Sequence, residues 1–162
     1  MRILMLDKLG MGLEEFDGPN NQQMPILVKK GFVPATFSDI MRLRNVVLQP
    51  GCSDEVRKAV WLNYIETGTG SVRHADGSLV IQELPDYLLN LTLATTLEHG
   101  AFPLADEQYS KLRGTRLVAS QVEKHSGKPF RTVSEVLDNL IWMAFAGNDG
   151  RLLEEYAGNA FD

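Results

Sequence analysis

The strongest hydrophobic signal in this chain is a run of seven apolar residues at positions 140–146. Seven consecutive residues reach every side of a helix at about 3.6 residues per turn, so the pattern assigns no face of this segment to water. A capping box, Thr132-Val133-Ser134-Glu135, precedes the run and predicts one helix that ends at Gly147. Such a helix is either enclosed within its own domain or covered by a partner, and the sequence leaves both possibilities open.

Within that helix, one stripe is predicted to face the protein's own core. It comprises Val133, Val136, Leu137, Leu140, Ile141 and Ala144. Trp142 and Phe145 lie away from the centre of the stripe, and aromatic residues are enriched where partners bind. The pattern therefore predicts these two residues as candidates for a second contact surface.

Helical spacing marks most of the remaining chain beyond residue 35. Thr36 and Asp39 fit the spacing of a capping pair before an apolar stripe that ends at Pro50, and Ser53 is a suitable N-cap for the next helix. Gly114 is a weak point of one predicted helix, since glycine costs roughly 1 kcal/mol relative to alanine. The further helices are predicted at 53–66, from Pro85 to Gly100, from about Leu104 to Lys124 and from about Gly150 to Ala157.

The clearest β signal lies at residues 71–83. Two short apolar-alternating segments flank Asp76-Gly77, a dipeptide that tolerates the positive φ of a two-residue type I′ turn. A lone hairpin is marginally stable in water, so this one is expected to pack on helices or on another strand.

The first 35 residues differ from the rest of the chain. Ile3 to Leu6 and Ile26 to Val28 are predicted short strands, while glycines and prolines break any longer element. Gly10-Met11-Gly12 lacks the third glycine of a dinucleotide-binding loop and is interpreted as a flexible turn. The chain is therefore predicted to be mainly α. It comprises an irregular N-terminal arm at 1–35 and a single helical domain at 36–162, with about five to six helices and one hairpin.

Composition excludes several function classes. The net charge of −5 disfavours a surface that neutralises nucleic-acid phosphates. The apolar run near the N-terminus has only four residues, too short for a signal-peptide core or a membrane span of about 20 residues. With a single cysteine there is no intrachain disulfide, which favours a reducing compartment. We therefore expect a cytoplasmic protein that does not bind a membrane, and the charge disfavours nucleic-acid binding.

Candidate chemistry is sparse. Cys52 precedes a predicted helix N-terminus, where the helix dipole favours a thiolate, but neighbouring carboxylates oppose it. His74 or His99 would have to reach Cys52 in space to form a nucleophile–base pair, so these three are weak catalytic candidates. The histidines lack the short spacings typical of metal sites on helices, and we expect no metal and no cofactor.

The leading functional hypothesis is a non-enzymatic interaction or structural subunit of a larger assembly. Partner or self-contacts are predicted at Trp142 and Phe145 of the apolar helix and at Phe16 and Met24 of the arm. An arm strand can also add to the sheet edge of a neighbour. The alternatives are a small enzyme with a spatially assembled Cys–His site and a nucleic-acid-associated helical protein.

Overall fold

A computed structural model describes residues 20–62, 65, 67–92, 94–98, 101–127 and 129–161, together with the backbone of 3–6 and 11–14. The described chain is mainly helical with a small antiparallel sheet, which confirms the predicted fold class. Its elements are, in order, β1 (Ile3–Leu6), β2 (Met11–Glu14), α1 (Asn20–Lys29), α2 (Phe37–Val47), α3 (Asp54–Leu62), β3 (Thr69–Arg73), β4 (Leu79–Glu83), α4 (Asp86–Leu89), α5 (Asp106–Ser110), β5 (Thr115–Leu117), α6 (Ala119–His125), α7 (Val133–Leu137), α8 (Leu140–Phe145) and α9 (Gly150–Phe161).

The N-terminal region is more regular than the predicted arm. β1 and β2 form an antiparallel pair in which Ile3 lies opposite Glu14 and Leu6 opposite Met11. The predicted strand at Ile3–Leu6 is confirmed. The predicted turn is wrong at Met11 and Gly12, because both residues belong to β2, where strand pairing overrides the flexibility of glycine. Gly10 lies outside the described residues.

The predicted strand from Ile26 to Val28 is also wrong, because these residues lie inside α1. α1 ends in a Schellman motif, in which the Gly31 N–H donates to the Val28 carbonyl at 2.9 Å and the Phe32 N–H to the Leu27 carbonyl at 3.2 Å. Gly31 has a φ of +83°, as this motif requires. A helix C-terminal signal therefore outweighs the strand propensity of three residues, and α1 gains tertiary packing through contacts with α4.

α2 and α3 begin where the sequence predicts. The Thr36 hydroxyl accepts from the Asp39 N–H at 3.1 Å, and the Asp39 carboxylate accepts from the Thr36 N–H at 3.0 Å. These reciprocal bonds form the capping box of α2. The Ser53 hydroxyl accepts from the Val56 N–H at 3.3 Å and caps α3. α3 is described to Leu62, and positions 63, 64 and 66 of the predicted helix lie outside the described residues.

β3, β4 and β5 form an antiparallel sheet in that order. The predicted hairpin is confirmed, but its turn is not the two-residue type I′. The His74 N–H donates to the Ser78 carbonyl at 2.9 Å, and the Gly77 N–H donates to the His74 carbonyl at 3.0 Å. Gly77 has a φ of +85°, so a three-residue loop ends in a glycine bulge. The Asp76 carboxylate stabilises this wider loop by accepting from the Ser78 N–H at 2.8 Å.

The long helix predicted from 104 to 124 is wrong, because α5, β5 and α6 occupy this segment. A Cβ at Gly114 would collide with the Ile81 carbonyl oxygen of β4. Gly114 therefore permits a close backbone approach and is not a defect of a helix. Helical spacing predicts a buried stripe of four residues in that helix. Tyr109 and Val122 are buried, but Leu112 is half-buried and Ala119 is exposed.

The helix predicted from Pro85 to Gly100 ends at Leu89. Side chains compete with the backbone for hydrogen bonds directly after this point. The Asn90 amide donates to the Asp86 carbonyl at 2.8 Å, and the Thr95 hydroxyl accepts from the Thr92 N–H at 2.8 Å. These local bonds favour a turn over a further helical turn.

The predicted helix at 133–146 is divided into α7 and α8 by Asn139. The side-chain Oδ1 of the buried Asn139 accepts from the Ile141 and Trp142 N–H groups at 3.0 and 3.1 Å and caps α8. Because α7 and α8 are separate helices, residues spaced as one stripe across both do not share one face. Leu140 is 37% exposed, so the prediction that it faces the core is wrong. The predicted tail helix is confirmed as α9 and continues to Phe161.

Three apolar clusters form the core. The first joins α2, α7 and α9 around Met41 and Leu153, and the second joins α2 and α3 around Leu43 and Val60. The third joins β4 and β5 to α6 and α8 around Ile81. None of the described helices is long and apolar enough to cross a membrane.

Candidate functional site

The hairpin strand β3 lies at an edge of the sheet. Along an antiparallel strand, alternate residues bond to the neighbouring strand and the others point their N–H and C=O groups outward. The His74 N–H donates to the Ser78 carbonyl. Val72 therefore also bonds to β4, whereas Ser71 and Arg73 direct their backbone groups away from it. Both of these outward residues are exposed, so β3 offers two accessible positions for pairing.

A groove of about 320 Å³ lies beside this edge. It is lined by Ser71 and Arg73 of β3, Leu79 of β4, His125, Ser126 and Gly127 at the end of α6, Phe130, and Ile141 and Trp142 of α8. Arg73 pairs with Leu79 across the hairpin, so the two side chains share the sheet face that packs on α6 and α8. The helices cover the β4 part of this face and leave the β3 part open.

The opposite face of β3 is covered. A Cβ at Gly70 would collide with the Tyr87 hydroxyl and approach the Pro85 ring. Burial raises the pKa of Tyr87 to about 12, and its ring stacks on Phe102 at a centroid distance of 6.2 Å. The groove face, which carries the exposed Ser71 and Arg73, is therefore the more open face of this edge strand for a partner's side chains.

Aromatic packing fixes the far wall of the groove. Trp142 packs edge-on against Phe130 at a centroid distance of 6.0 Å and against Phe37 at 5.8 Å. It also stacks against Tyr156 of α9 at 6.2 Å. The Asn139 amide donates to the His125 carbonyl at 2.9 Å and ties the start of α8 to the end of α6. The wall therefore packs against the core, with Trp142 in α8 and Phe130 in the connection between α6 and α7.

The described residues that line the groove carry two basic side chains and no acidic one. The Arg73 guanidinium donates to the Ser126 hydroxyl at 3.5 Å, a long contact at the solvent boundary. The guanidinium has five N–H groups, so most of its donors stay available to a ligand. The groove is thus suited to an apolar or aromatic group beside an acidic one.

A separate polar cluster lies at the hairpin loop. His74 lies 3.0 Å from the Asp76 carboxylate and 3.4 Å from the Asp106 carboxylate, and it stacks on Tyr109 at 4.7 Å. The hydrogen bond to Asp76 raises the pKa of His74, and the two carboxylates add to the effect. Hydrogen bonds from Ser78, followed by the one from His74, lower the pKa of Asp76 to about 2. Through its contacts with Asp106 and Tyr109, His74 joins the hairpin loop to α5.

The structure does not bring the predicted cysteine and histidine together. Cys52 is half-buried against the cluster around Val47 and Val60, whereas His74 contacts the loop and α5. His99 lies outside the described residues. Within the described ranges, no group of three or more His, Cys, Asp or Glu side chains is placed to hold a metal ion.

The predicted partner contacts are distributed over several places. Trp142 lines the groove, and Phe145 packs on Phe37 at a centroid distance of 5.0 Å. Met24 is buried within α1 at 4% exposure, and Phe16 lies outside the described residues. Partner binding by any of these residues stays a prediction.

Sequence reasoning missed the residues that open the groove, namely Ser71, Arg73, Ser126 and Phe130. The polar pair at alternate positions of β3 was a signal, because it marks a strand face not fully covered by the core. Phe130 gave no periodic signal, since it lies in the connection between α6 and α7.

The groove's shape and charge are the available guides to function. No protein-family model, curated protein sequence or solved structure matches this chain.

Proposed function

We propose that this chain is a non-enzymatic interaction subunit that binds an extended segment of a partner protein along β3. The observation that carries the proposal is the exposed edge at Ser71 and Arg73 beside a groove with an aromatic wall. Added strands gain affinity from backbone hydrogen bonds and specificity from pockets for alternate side chains. Both components are present at this edge.

The bound segment would continue the sheet. Its backbone would pair with the outward N–H and C=O groups of Ser71 and Arg73. Its side chains on the groove face would reach the aromatic wall formed by Phe130 and Trp142. Because these rings are held by the core, the groove needs little reorganisation, which reduces the entropic cost of binding.

Charge favours an acidic side chain in that segment. Arg73 lies exposed at the edge, and the described lining has no carboxylate to neutralise it. An exposed ion pair is worth at most about 1 kcal/mol, which corresponds to roughly fivefold in affinity. Charge therefore provides specificity, and the backbone and aromatic contacts provide most of the binding energy.

The occupant is a short partner segment and not a second copy of the chain. A standard protein interface buries about 1,600 Å² in total. The edge offers two pairing residues and a groove of about 320 Å³, a site on the scale of a peptide. The net charge of −5 also makes two copies repel each other.

A defined peptide tests the proposal. An acetylated heptapeptide of alternating threonine and valine with a central glutamate is titrated into the isotopically labelled protein, and amide chemical shifts are followed. We expect saturable shifts at Ser71 and Arg73 and along the groove. Exchanging the peptide's glutamate for lysine should weaken binding about fivefold, and Arg73→Glu should reverse that preference.

Ser71→Pro is the decisive variant, because it removes an outward N–H without disturbing the bonds to β4. Ser71→Ala is its matched control and should bind like the parent. Equal binding by the two variants would contradict strand addition. Light scattering of the parent provides a second check, since a dimer that Ser71→Pro dissociates would identify a second copy as the occupant.

A further inference from the structure

A second cavity, of about 420 Å³, lies on the α2 and α9 side of the molecule. Its lining comprises Phe37, Ile40, Met41 and Arg44 of α2, Leu62 of α3, Ile65, Thr67, and Tyr156 of α9. Apolar side chains predominate in this lining, and Arg44 is its one charged member among the described residues. The proposed β3 groove does not use any of these residues.

Arg44 is held firmly at this cavity by neutral partners. Its Nε donates to the Val60 carbonyl at 3.2 Å, and its Nη1 donates to the Tyr156 hydroxyl at 3.0 Å. The guanidinium carbon lies 5.5 Å from the centroid of the Trp61 ring, within cation–π distance. Three contacts from two helices, α3 and α9, fix the plane of the guanidinium before any ligand arrives.

The remaining donors of Arg44 define what the cavity can recognise. Described residues accept from two of the five guanidinium N–H groups, and no carboxylate among them lies within ion-pair distance. The other three N–H groups have no acceptor among the described residues and belong to Nη1 and Nη2, the pair of nitrogens that binds a carboxylate in a bidentate manner. A fixed fork beside an apolar wall matches a molecule that is anionic at one end and apolar at the other.

We infer that this cavity binds a small amphipathic carboxylate, with its carboxylate on Arg44 and its apolar body against Phe37, Met41, Leu62 and Ile65. The volume falls at the lower end of the roughly 300–1,000 Å³ range of small-molecule sites. A compact ligand such as a medium-chain fatty acid or an aromatic acid therefore fits better than a long-chain lipid. Leu62 is 77% exposed and forms the rim, where it gains burial when a ligand is present.

Octanoate is the probe that tests this inference. Isothermal titration should show one site per chain, and octan-1-ol at the same concentrations should bind at least tenfold more weakly. Arg44→Gln should weaken octanoate binding by about ten- to a hundredfold, because a bidentate bond to a charged group is lost. Arg44→Lys should recover only part of the affinity, since an ammonium lacks the planar fork.

A variant at the rim of the cavity separates a loss of binding from a folding defect caused by a change at Arg44. Leu62→Glu changes an exposed residue and should weaken octanoate binding about fivefold by charge repulsion. Val118→Glu is the matched control, because Val118 is 56% exposed and does not line the cavity. Octanoate that does not bind at millimolar concentration would overturn the inference. Equal binding of octanoate and octan-1-ol, or equal effects of the two glutamate variants, would overturn it as well.

Discussion

The two edges of the three-stranded sheet are built differently. β3 has five residues and leaves Ser71 and Arg73 exposed with outward backbone groups. β5 has three residues. By the same alternation Thr115 and Leu117 hydrogen-bond to β4, and only Arg116 directs its backbone groups outward. The Arg116 side chain also folds back onto α5, because its guanidinium lies 4.6 Å from the centroid of the Tyr109 ring and donates to the Tyr109 carbonyl at 3.2 Å.

This contrast indicates which edge can accept a partner. Proteins protect sheet edges with very short strands and charged side chains, and β5 has both features. The N–H directly after β5 belongs to Val118 and donates to the Gln121 side chain at 3.1 Å, so this N–H is already bonded. No described residue hydrogen-bonds to the outward backbone groups of β3 at 71–73, and this strand also borders a groove. The asymmetry supports the proposal that β3 is the binding edge.

The largest expected effect follows from disrupting the protected edge with Gly114→Ala. A Cβ here would collide with the Ile81 carbonyl oxygen, and rigid backbone cannot move aside as a flexible side chain would. We expect a loss of about 4 kcal/mol in the free energy of unfolding, or failure to fold. Urea denaturation measures the loss, and aggregation would indicate that β4 has become a new open edge.

Gly158→Ala provides the matched control for Gly114→Ala. This glycine lies inside α9, and a Cβ there would have no neighbour within 4 Å. Alanine should stabilise the helix by about 0.5–1 kcal/mol. Similar stability changes in the two variants would show that Gly114 makes no close contact with β4.

Two proline substitutions in β3 test which residues hydrogen-bond to β4 and which direct their backbone groups outward. Val72→Pro removes an N–H that bonds to β4 and leaves a β4 carbonyl unpaired, so we expect a loss of about 2–3 kcal/mol. Ser71→Pro removes an outward N–H and should cost about 1 kcal/mol or less. Thermal unfolding of the two variants gives the comparison. The reverse order would mean that the register places the outward groups on the other residues.

The sequence predicted the open hairpin better than the protected edge. Asp76-Gly77 marks its turn locally, and a hairpin pairs residues that are neighbours in the chain. β5 is a three-residue strand whose pairing depends on β4, more than 30 residues earlier. Tyr109 and Val122 fit helical spacing as well as they fit the actual arrangement, so periodicity alone favoured one long helix.

At the groove wall, Asn139 also shows that local sequence patterns do not predict a structure that depends on long-range contacts. A capping box at Thr132 and an apolar run beyond it predict one helix, and both features are present in the structure. The break arises because the buried Asn139 side chain bonds to two N–H groups ahead and to the His125 carbonyl of another helix. That long-range bond has no sequence signal, so the break was not predictable.

Substitutions at two asparagines compare how strongly side-chain hydrogen bonds stabilise the groove wall beside β3 and the β5 edge. Asn139→Ala should cost about 2 kcal/mol, because a buried cap and a buried carbonyl both lose their partner. Asn148 supports β5 through an exposed bond of 3.0 Å from its amide to the Thr115 hydroxyl, and its φ is +62°. Asn148→Ala should cost about 1 kcal/mol, chiefly through that backbone conformation. Chemical denaturation distinguishes the two, and equal losses would show that the groove wall is no more firmly built than β5.

The smallest expected effect concerns the loop that joins β3 to β4. Its His74 has a raised pKa, so protonated His74 stabilises the folded state below the ordinary pKa of 6.5, and this contribution is lost as pH rises through the folded pKa. Asp76 has its pKa lowered from 3.8 to about 2, so its contribution is present above 3.8 and is lost as pH falls through that interval. Both contributions are therefore complete between about pH 4 and 6.

Nuclear magnetic resonance titration of the His74 ring tests this assignment. Asp76→Asn should lower the pKa of His74 most, because its hydrogen bond is the largest cause of the shift, and Asp106→Asn should lower it less. The melting temperature of the parent should fall slightly from pH 6 to pH 8, and the fall should be smaller in Asp76→Asn. A His74 pKa that neither variant changes would mean that the loop is not linked to α5 through this ring. The open edge would then begin at a loop held by the Ser78 and Gly77 bonds alone.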